Sequence, residues 1–273
     1  MRTACLLWLI AGCGFTSQTS PIGGDPGPGD VDGGTGGPAG PGGGSGTSAS
    51  RCDIDGTGLG LRLCLTFDSP QVQDLVDPPH QVADTTGIQI LRILSNATAK
   101  LDGNAHIRFM PSTDFDLQAL TLELWIDPDK LAKGQSSATI LERGQQYFVA
   151  YQQDGHLQCG IADQRVTSAV AIVGGWHHVA CRFDAAHELR IYVDGSVSGC
   201  TQLPGGIPTG GAGEIAIGAS YSASTYQNSY VGSLDNVHLF ASALADADLC
   251  RAAHKTSCNT RCPEDGGRDP RAP

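Results

Sequence analysis

Short runs of β-forming residues recur along the chain between turn signals. The runs that predict strands are Leu61–Phe67, Ala105–Phe109, Leu120–Asp127, Tyr147–Gln152, His156–Ile161, Trp176–Phe183, Leu189–Val193, Glu214–Gly218 and Tyr230–Phe240. In Leu120–Asp127, leucine and isoleucine alternate with Glu, Trp and Asp, which is the period of two that is typical of a strand. Asp-Gly pairs at Asp154 and Asp194 predict tight hairpin turns. Helical spacing occurs at Ala243–His254.

This pattern predicts an all-β fold. Many short strands with glycine-rich turns and one terminal helix indicate an antiparallel sandwich of two sheets with a short C-terminal helix. Strands that alternate with helices would instead have indicated a parallel sheet.

The first residues of the chain have the character of a targeting signal. Arg2 precedes the apolar run Ala4–Ile10, and small residues lead to Cys13. This order predicts a signal peptide over residues 1–12. Its ending resembles the bacterial lipobox, in which the cysteine is lipidated, so we expect Cys13 to carry a lipid. The alternative is a cleaved signal peptide with an incidental cysteine.

The amino-acid composition divides the rest of the chain into a linker, a folded domain and a tail. Residues 21–50 hold thirteen of the 37 glycines and five of the 15 prolines, with few apolar side chains. Such a segment buries too little surface to fold, so residues 13–50 are predicted to be the lipidated cysteine and a flexible linker. Residues 51–262 then form a single domain, and residues 263–273 a disordered tail.

The charge of the chain limits its partners. The formal net charge is −11, and the 17 Lys and Arg residues are scattered singly. We therefore expect no binding to nucleic acid and no electrostatic docking on anionic lipid. Because no apolar stretch approaches the ~20 residues that span a bilayer, membrane contact is expected only through the lipid. The predicted location is the bacterial cell envelope, as an outer-membrane lipoprotein or at the cell surface.

Eight cysteines remain once Cys5 in the signal and Cys13 are set aside. They are Cys52, Cys64, Cys159, Cys181, Cys200, Cys250, Cys258 and Cys262. An even number of cysteines in an exported chain predicts disulfide bonds, although the sequence does not select their connectivity.

Four ordered motifs resemble the laminin-G-like jelly-roll domains. They are the T-x-E-x-W-x-x-P strand at Thr121–Pro128, the W-x-H-V-A strand at Trp176–Ala180, the L-x-x-Y-V-D-G hairpin at Leu189–Gly195 and the closing G-x-I-D-D-V at Gly232–Val237. In the closing motif Asn236 stands where the family has the second Asp. Leu244 and Leu249 match the final helix of that family. The resemblance runs from about Leu61 to Ala253 and implies a concanavalin A-like sandwich. That architecture serves lectins, glycanases and adhesion modules, so it does not fix the function.

The resemblance also suggests cysteine pairs. Because chain ends lie close together in these sandwiches, bridges between the N-terminal pair (Cys52 and Cys64) and the C-terminal group (Cys250, Cys258 and Cys262) are expected to join the two termini. Cys159 and Cys181 are expected on neighbouring strands and suggest a core bridge.

A structural calcium ion is a further expectation. Related sandwiches often carry a calcium-ligating Asp on the closing strand, where this sequence has Asp235. Asp68 ends the first strand and Asp102 lies in a turn, so both are candidate oxygen ligands. The alternative is that Asp235 binds backbone amides and Asp102 only shapes its turn.

The candidate ligand site is the polar loop Ser220–Tyr230. Tyr221, Tyr226 and Tyr230 offer aromatic faces that suit sugar rings, while Gln227 and Asn228 suit hydroxyl groups. The alternative is that the tyrosines fold back over the edge of the sandwich.

Catalytic patterns are weak. Glu123 and Asp127 share one strand face, but about 13 Å separates their Cα atoms, which is too far for a glycosidase pair. His177 and His178 point to opposite faces and suit no common metal. We therefore expect a non-catalytic module that binds a glycan or a cell-surface protein. The alternatives are a glycoside hydrolase with an unrecognised carboxylate pair and a structural envelope protein.

Overall fold

The structure is a computed structural model that describes Cys52 and residues 59–93, 96–131, 134–144, 146–209 and 213–263. The predicted signal peptide, Cys13, the linker and the tail beyond Pro263 lie outside these residues. The described part of the chain contains no helix with the length and apolar character that crossing a membrane requires.

Two antiparallel sheets dominate the described residues. The eight-stranded sheet consists of β1 (Leu61–Leu65), β3 (Gln89–Ile93), β4 (Asn96–Asp102), β6 (Leu120–Pro128), β11 (His177–Phe183), β12 (Glu188–Val193), β13 (Ser196–Gln202) and β17 (Val231–Phe240). Its order is β13-β12-β11-β6-β17, after which β17 pairs with β4 along its first half and with β1 along its second. The edge beyond β4 is β3.

The seven-stranded sheet faces it. It consists of β2 (Val82–Thr86), β5 (His106–Phe109), β7 (Ser137–Arg143), β8 (Tyr147–Gln152), β9 (Leu157–Ile161), β10 (Gln164–Thr167) and β14 (Ile215–Ile217), in the order β10-β9-β8-β7-β14-β5-β2. A small hairpin joins β15 (Ser220–Ser222) to β16 (Thr225–Gln227), and α1 spans Asp246–Ala252. The predicted all-β sandwich with a short C-terminal helix is confirmed.

The sequence pattern missed several strands and overstated the helix. β4 and β13 contain Ala, Ser and Gly, which have low strand propensity, yet each pairs with a neighbour along its length. Pairing and burial override such propensities in a sheet. The helix occupies only α1, rather than the predicted Ala243–His254, because Ala245 before it has an extended backbone.

The main core lies between the two sheets. Leu122, Leu124 and Ile126 of β6 enter it together with Val149 and Ile161 from the facing sheet, and none of these side chains is more than 1% exposed. Burial of such side chains contributes about 1.5–3 kcal/mol each to folding.

A second, smaller core covers the outer face of the eight-stranded sheet. Leu244 and Leu249 from the α1 region pack there against Tyr192, Ala180 and Phe240. The predicted alternation in β6 is therefore right, but its polar side is buried as well: Glu123 is 1% exposed and Trp125 5%.

Four disulfide bonds join the eight cysteines. The pairs are Cys52–Cys64, Cys159–Cys181, Cys200–Cys262 and Cys250–Cys258. The suggested core bridge between Cys159 and Cys181 is present, but these residues do not lie on neighbouring strands. They lie on β9 and β11, which belong to different sheets, so the bridge crosses the main core.

The expected bridges between the two chain ends are absent, and that prediction was wrong. Cys64 lies on β1, whereas Cys250 on α1 packs over Gly195 in the turn between β12 and β13. β1 and β13 are on opposite sides of the sheet, with four strands between them. At about 4.8 Å per strand the distance is far beyond the reach of a disulfide.

Candidate functional site

One row of residues crosses the whole outer face of the seven-stranded sheet. The strand register places them in the order Arg165, Gly160, Phe148, Glu142, Ala216, Arg108 and Asp84. Directly paired residues project to the same face of a sheet. This face is opposite to the main core, since the neighbours of these residues along each strand, such as Val149 and Ile107, are buried between the sheets. We call this set the outer row.

An aromatic ring lies at one end of the outer row. Phe148 is only partly exposed because its ring lies over Gly160, where an added Cβ would overlap it. The guanidinium carbon of the exposed Arg165 lies 5.6 Å from the ring centroid. Such an arrangement is attractive because the ring face carries partial negative charge. The result is an apolar surface with a cation at its edge.

Charged and aromatic groups crowd the other end of the outer row. Arg108 donates hydrogen bonds to Glu214 (2.6 Å) and to the hydroxyl oxygen of Tyr226 (3.1 Å), and its guanidinium lies 4.7 Å from the centroid of Tyr221. The Tyr226 hydroxyl donates to Asp84 (2.9 Å). The Asp84 pKa is lowered, chiefly by the hydrogen bond of His106 and then by that of Tyr226.

The β15–β16 hairpin lies against the middle of this row. Glu142 accepts hydrogen bonds from the backbone N–H of Tyr221 (2.8 Å) and from the Ser220 hydroxyl (3.0 Å). Burial raises the pKa of Glu142 even though both hydrogen bonds oppose the rise. The hairpin therefore fixes the position of Tyr221, while the ring of Tyr226 stacks on His106 with 3.4 Å between the centroids.

The three tyrosines named from the sequence have different surroundings. Tyr221 and Tyr226 are partly exposed beside the outer row, folded back over the sheet. Tyr230 is fully buried in the main core, so its proposed role in contacting a ligand is wrong. It precedes β17, where its ring fills the space between the sheets.

The sequence did not reveal the other members of the outer row. Phe148 and Arg108 are far apart in the chain. In the sequence, each looks like a single outward-facing residue of an ordinary strand. Alternation within β8 places Phe148 opposite in direction to Val149, which was the one available signal. The row forms because seven strands pair in one sheet, and no single stretch of sequence indicates that pairing.

The three candidate calcium ligands are not all together. Asp235 is buried in β17, where it accepts hydrogen bonds from the Asn236 backbone (2.8 Å) and the Asn96 side chain (3.2 Å). Burial raises the pKa of Asp235 to about 7, and the nearby negative charge of Asp68 adds to the rise. One carboxylate oxygen of Asp68 is buried without a hydrogen-bond partner among the described residues.

Asp102 does not join this pair. It pairs with Val231, four residues before Asp235 on β17, and accepts a hydrogen bond from the Asn104 backbone in an exposed turn. At about 3.4 Å per residue, Asp102 lies roughly 13 Å along the strand from Asp235. The expectation that Asp102 acts as a third ligand is therefore wrong, and the β4 residue whose side chain contacts Asp235 is Asn96, at the other end of that strand.

Glu123 and Asp127 form no accessible carboxylate pair. Glu123 is buried beside His238 and His178, with 2.9 Å between its Oε1 and Nδ1 of His238. The opposite orientations expected for His177 and His178 are observed: His178 is buried, whereas His177 is partly exposed and lies 3.0 Å from Asp194.

The ion pair between His177 and Asp194 leads to a prediction about pH. The Asp194 hydrogen bond raises the pKa of His177 above its unfolded value, so the pair stabilises the fold below about pH 6.5 and loses that effect at higher pH. His177→Gln is expected to lower the free energy of unfolding by about 1 kcal/mol at pH 6 and by much less at pH 9. Urea denaturation at both pH values measures this. An equal loss at both values would contradict it.

Comparison with known proteins supports the observed fold. Residues 101–250 match the family model Laminin_G_3, described as the concanavalin A-like lectin/glucanases superfamily. No curated protein matches the sequence.

Several solved structures are similar in fold. The binding domain of Paraclostridial Mosquitocidal Protein 1 superposes with a TM-score of 0.60 at 15% identity, over 71% of this chain and 52% of that one. The receptor-binding domain of botulinum neurotoxin type G gives 0.56 at 12%, over 71% and 51%. The botulinum neurotoxin DC binding domain, solved with rat synaptotagmin II, gives 0.55 at 11%, over 71% and 51%.

These solved structures share the fold with this chain and differ widely in sequence, and the chain spans about half their length. The family match covers more than half of the chain, and it includes the β6, β11, β12 and β17 motifs whose pairing builds the eight-stranded sheet. The chain therefore belongs to the laminin G family of the concanavalin A-like lectin/glucanases superfamily.

Proposed function

We propose that this domain is a non-catalytic binding module that works outside the cell and holds a glycan on the outer row. The observation that carries the proposal is the ring of Phe148, which lies on an outward sheet face between Arg165 and Glu142. A sugar ring has apolar C–H faces that stack on aromatic rings and hydroxyl groups that bind charged side chains. Ligand sites of this kind combine aromatic surface with a few fixed polar groups.

The opposite face of the sandwich is a poorer candidate. There the α1 region covers the centre of the eight-stranded sheet, so its aromatic side chains Trp125 and Tyr192 are buried. By contrast, Phe148 in the outer row and Tyr221 and Tyr226 beside it are partly exposed. Hydrogen bonds to Glu142 and Asp84 hold the two tyrosines in place. A ligand then meets side chains that lose little freedom on binding.

The similar solved structures are consistent with recognition of a partner at a cell surface. They are binding or receptor-binding domains, one of them in complex with synaptotagmin II. A further similar structure is that of botulinum neurotoxin type C, whose cell entry depends on interaction with two ganglioside molecules. The four disulfides fit an oxidising environment outside the cytoplasm.

Two substitutions test the glycan site. Phe148→Ala removes the ring, and Gly160→Ala displaces it, since the new methyl group takes the space that the ring occupies. We expect each to weaken binding to a polysaccharide from an array about tenfold, which corresponds to about 1.4 kcal/mol. Isothermal calorimetry measures the affinity, and thermal unfolding checks the fold. Leu91→Ala, an exposed apolar residue on the other sheet, is the matched control and should bind normally.

The alternatives give different results in the same experiment. Release of reducing sugar that is abolished by Glu142→Gln would indicate a glycoside hydrolase, because burial gives Glu142 the raised pKa of an acid catalyst. Binding to envelope protein but to no glycan would indicate protein recognition. Binding to neither would favour a structural envelope protein.

We further propose that Cys13 anchors the domain to the bacterial envelope through a lipid, with the Gly/Pro-rich segment as a tether. The support is the order of charge, apolar run and small residues before Cys13. A Gly-rich coil of this length has a reach of roughly 35 Å, which holds a folded domain clear of a membrane. The outer membrane and the cell surface are the locations that suit this arrangement.

A structural calcium ion near Asp235 is also proposed. Asp68 and Asp235 bring two carboxylates close together below the surface, and Asn96 adds an amide group beside them. An oxygen-rich site of this type suits Ca²⁺, and the cation would compensate charges whose burial is otherwise unfavourable.

Calcium is expected to stabilise the domain through this site. At a concentration a hundredfold above its Kd, it should raise the free energy of unfolding by about 2–3 kcal/mol. Thermal unfolding with calcium and with a chelator measures the effect. Asp235→Asn should abolish the response, whereas Asp102→Asn should retain it. A response that survives in the Asp235 variant would place the ion elsewhere.

A further inference from the structure

The Cys52–Cys64 disulfide lies next to a buried histidine and a buried carboxylate. Glu123, His238 and Cys64 are paired in one row across β6, β17 and β1, on the outer face of the eight-stranded sheet. A ring nitrogen of His238 and the sulfur atoms of Cys52 and Cys64 all lie within 4.8 Å of one another. Nδ1 of His238 is 2.9 Å from the Glu123 carboxylate, and both side chains are buried.

The two sulfur atoms differ in accessibility. Cys64 has no exposed surface, because it is part of the second core, while Cys52 is only partly buried against that core. An incoming thiolate therefore reaches the sulfur of Cys52 first. Attack on one sulfur expels the other, so the leaving group is the Cys64 thiolate. That is the sulfur held in the row beside His238.

The charges around His238 favour departure of this thiolate. The buried carboxylate of Glu123 stabilises the protonated imidazole, and a second histidine, His178, has its Nε2 3.6 Å from the same carboxylate. A positive charge close to a cysteine stabilises its thiolate, and a more stable thiolate leaves faster in exchange.

We propose that Cys52–Cys64 is a thiol-capture site, at which a low-molecular-weight thiol forms a mixed disulfide with Cys52. The thiolate of the incoming molecule forms a new S–S bond with Cys52, and the bond between Cys52 and Cys64 breaks. The electron pair goes to the Cys64 sulfur, which then takes up a proton. One thiol and one disulfide enter the exchange, and one mixed disulfide and one thiol leave it, so no external oxidant or reductant is consumed.

A second disulfide in the chain, Cys200–Cys262, provides a comparison for the reactivity of Cys52–Cys64. Cys262 is exposed, so accessibility alone would make Cys200–Cys262 the first disulfide to react. Its nearest charged contact, however, is a carboxylate: the Cys262 sulfur lies 3.8 Å from Oε1 of Glu188, whose other oxygen accepts a hydrogen bond from Arg190 (2.8 Å), the cross-strand partner of Cys200. Negative charge beside the sulfur repels an incoming thiolate and destabilises the leaving one. The reactivity order thus separates the effect of charge from the effect of exposure.

The experiment uses the oxidised full chain and 2-mercaptoethanol, which is uncharged. Samples are alkylated at intervals, and peptide mass spectrometry gives the exchange rate of each disulfide and the cysteine that carries the adduct. We expect Cys52–Cys64 to react fastest, with the adduct on Cys52. His238→Gln should slow this exchange about tenfold and leave the other three disulfides unchanged. Glu188→Gln is the matched control and should speed exchange at Cys200–Cys262 alone.

The same measurement shows whether the His238→Gln variant has failed to fold. Unfolding would accelerate exchange at the core disulfide Cys159–Cys181 in the same sample. In that case the order of rates in the unmodified chain still decides the question. Faster exchange at Cys200–Cys262 than at Cys52–Cys64, an adduct on Cys64, or an unchanged rate in a folded His238→Gln variant would each overturn the proposal.

Discussion

Replacement of Cys159 and Cys181 by alanine is expected to lower the free energy of unfolding by about 3 kcal/mol. The bridge closes a loop with a sequence separation of 22 residues, and it joins β9 to β11 across the main core. Without it the unfolded chain gains the freedom that the closed loop denied it, which is the main source of the loss. Both residues are almost fully buried, so two missing sulfur atoms also leave unfilled space.

Guanidinium denaturation under oxidising conditions measures this loss. The control is replacement of Cys250 and Cys258 by serine, which opens a loop with a separation of only 8 residues between α1 and the segment that follows it. We expect a smaller loss there, since the closed loop is shorter. If the core pair changed stability by no more than the α1 pair, the bridge across the sandwich would have no special role.

The second large effect is expected at Gly232, the first residue of the closing motif. Gly232 has φ of +149°, a conformation that residues with a Cβ rarely adopt. An added Cβ would lie 2.6 Å from the carbonyl oxygen of Asp127 and would overlap the hydroxyl of Tyr230. Because Asp127 belongs to the central strand β6, its backbone cannot move aside. Gly232→Ala should therefore lower the free energy of unfolding by about 3 kcal/mol.

Gly144→Ala separates backbone strain from steric overlap. Gly144 has φ of +47°, but an added Cβ there meets no atom within 4 Å. We expect a loss of about 1 kcal/mol from backbone strain alone. The same denaturation experiment gives both values. Equal losses in the two variants would show that contact with Asp127 contributes nothing.

The sequence predicted the parts of the fold that depend on neighbours along the chain. Alternation in β6, the Asp-Gly hairpins after β8 and β12, and the glycine of the closing motif were all legible, because strand period and turn geometry are local properties. β4 and β13 were missed because their small and polar residues become strands only through pairing.

Only part of the candidate site could be predicted from the sequence. Tyr221 and Tyr226 stand out as aromatic residues in a polar segment, and both lie beside the outer row. Tyr230 has the same local appearance and yet is buried, because it is the residue at which the chain enters β17. The sequence predicted this boundary to within one residue, as the strand Tyr230–Phe240, but it did not indicate that the Tyr230 ring is buried in the core.

By itself the sequence determined that this chain forms an antiparallel β sandwich with cysteines suited to an oxidising compartment, since alternation and residue type specify these properties locally. Only the tertiary structure decided which strands share a sheet, and with that the outer row around Phe148, the pairing of the cysteines and the position of His238 beside Cys64. These arrangements join residues that are distant in the chain. Their selection depends on the packing free energy of whole sheets, which no single segment encodes.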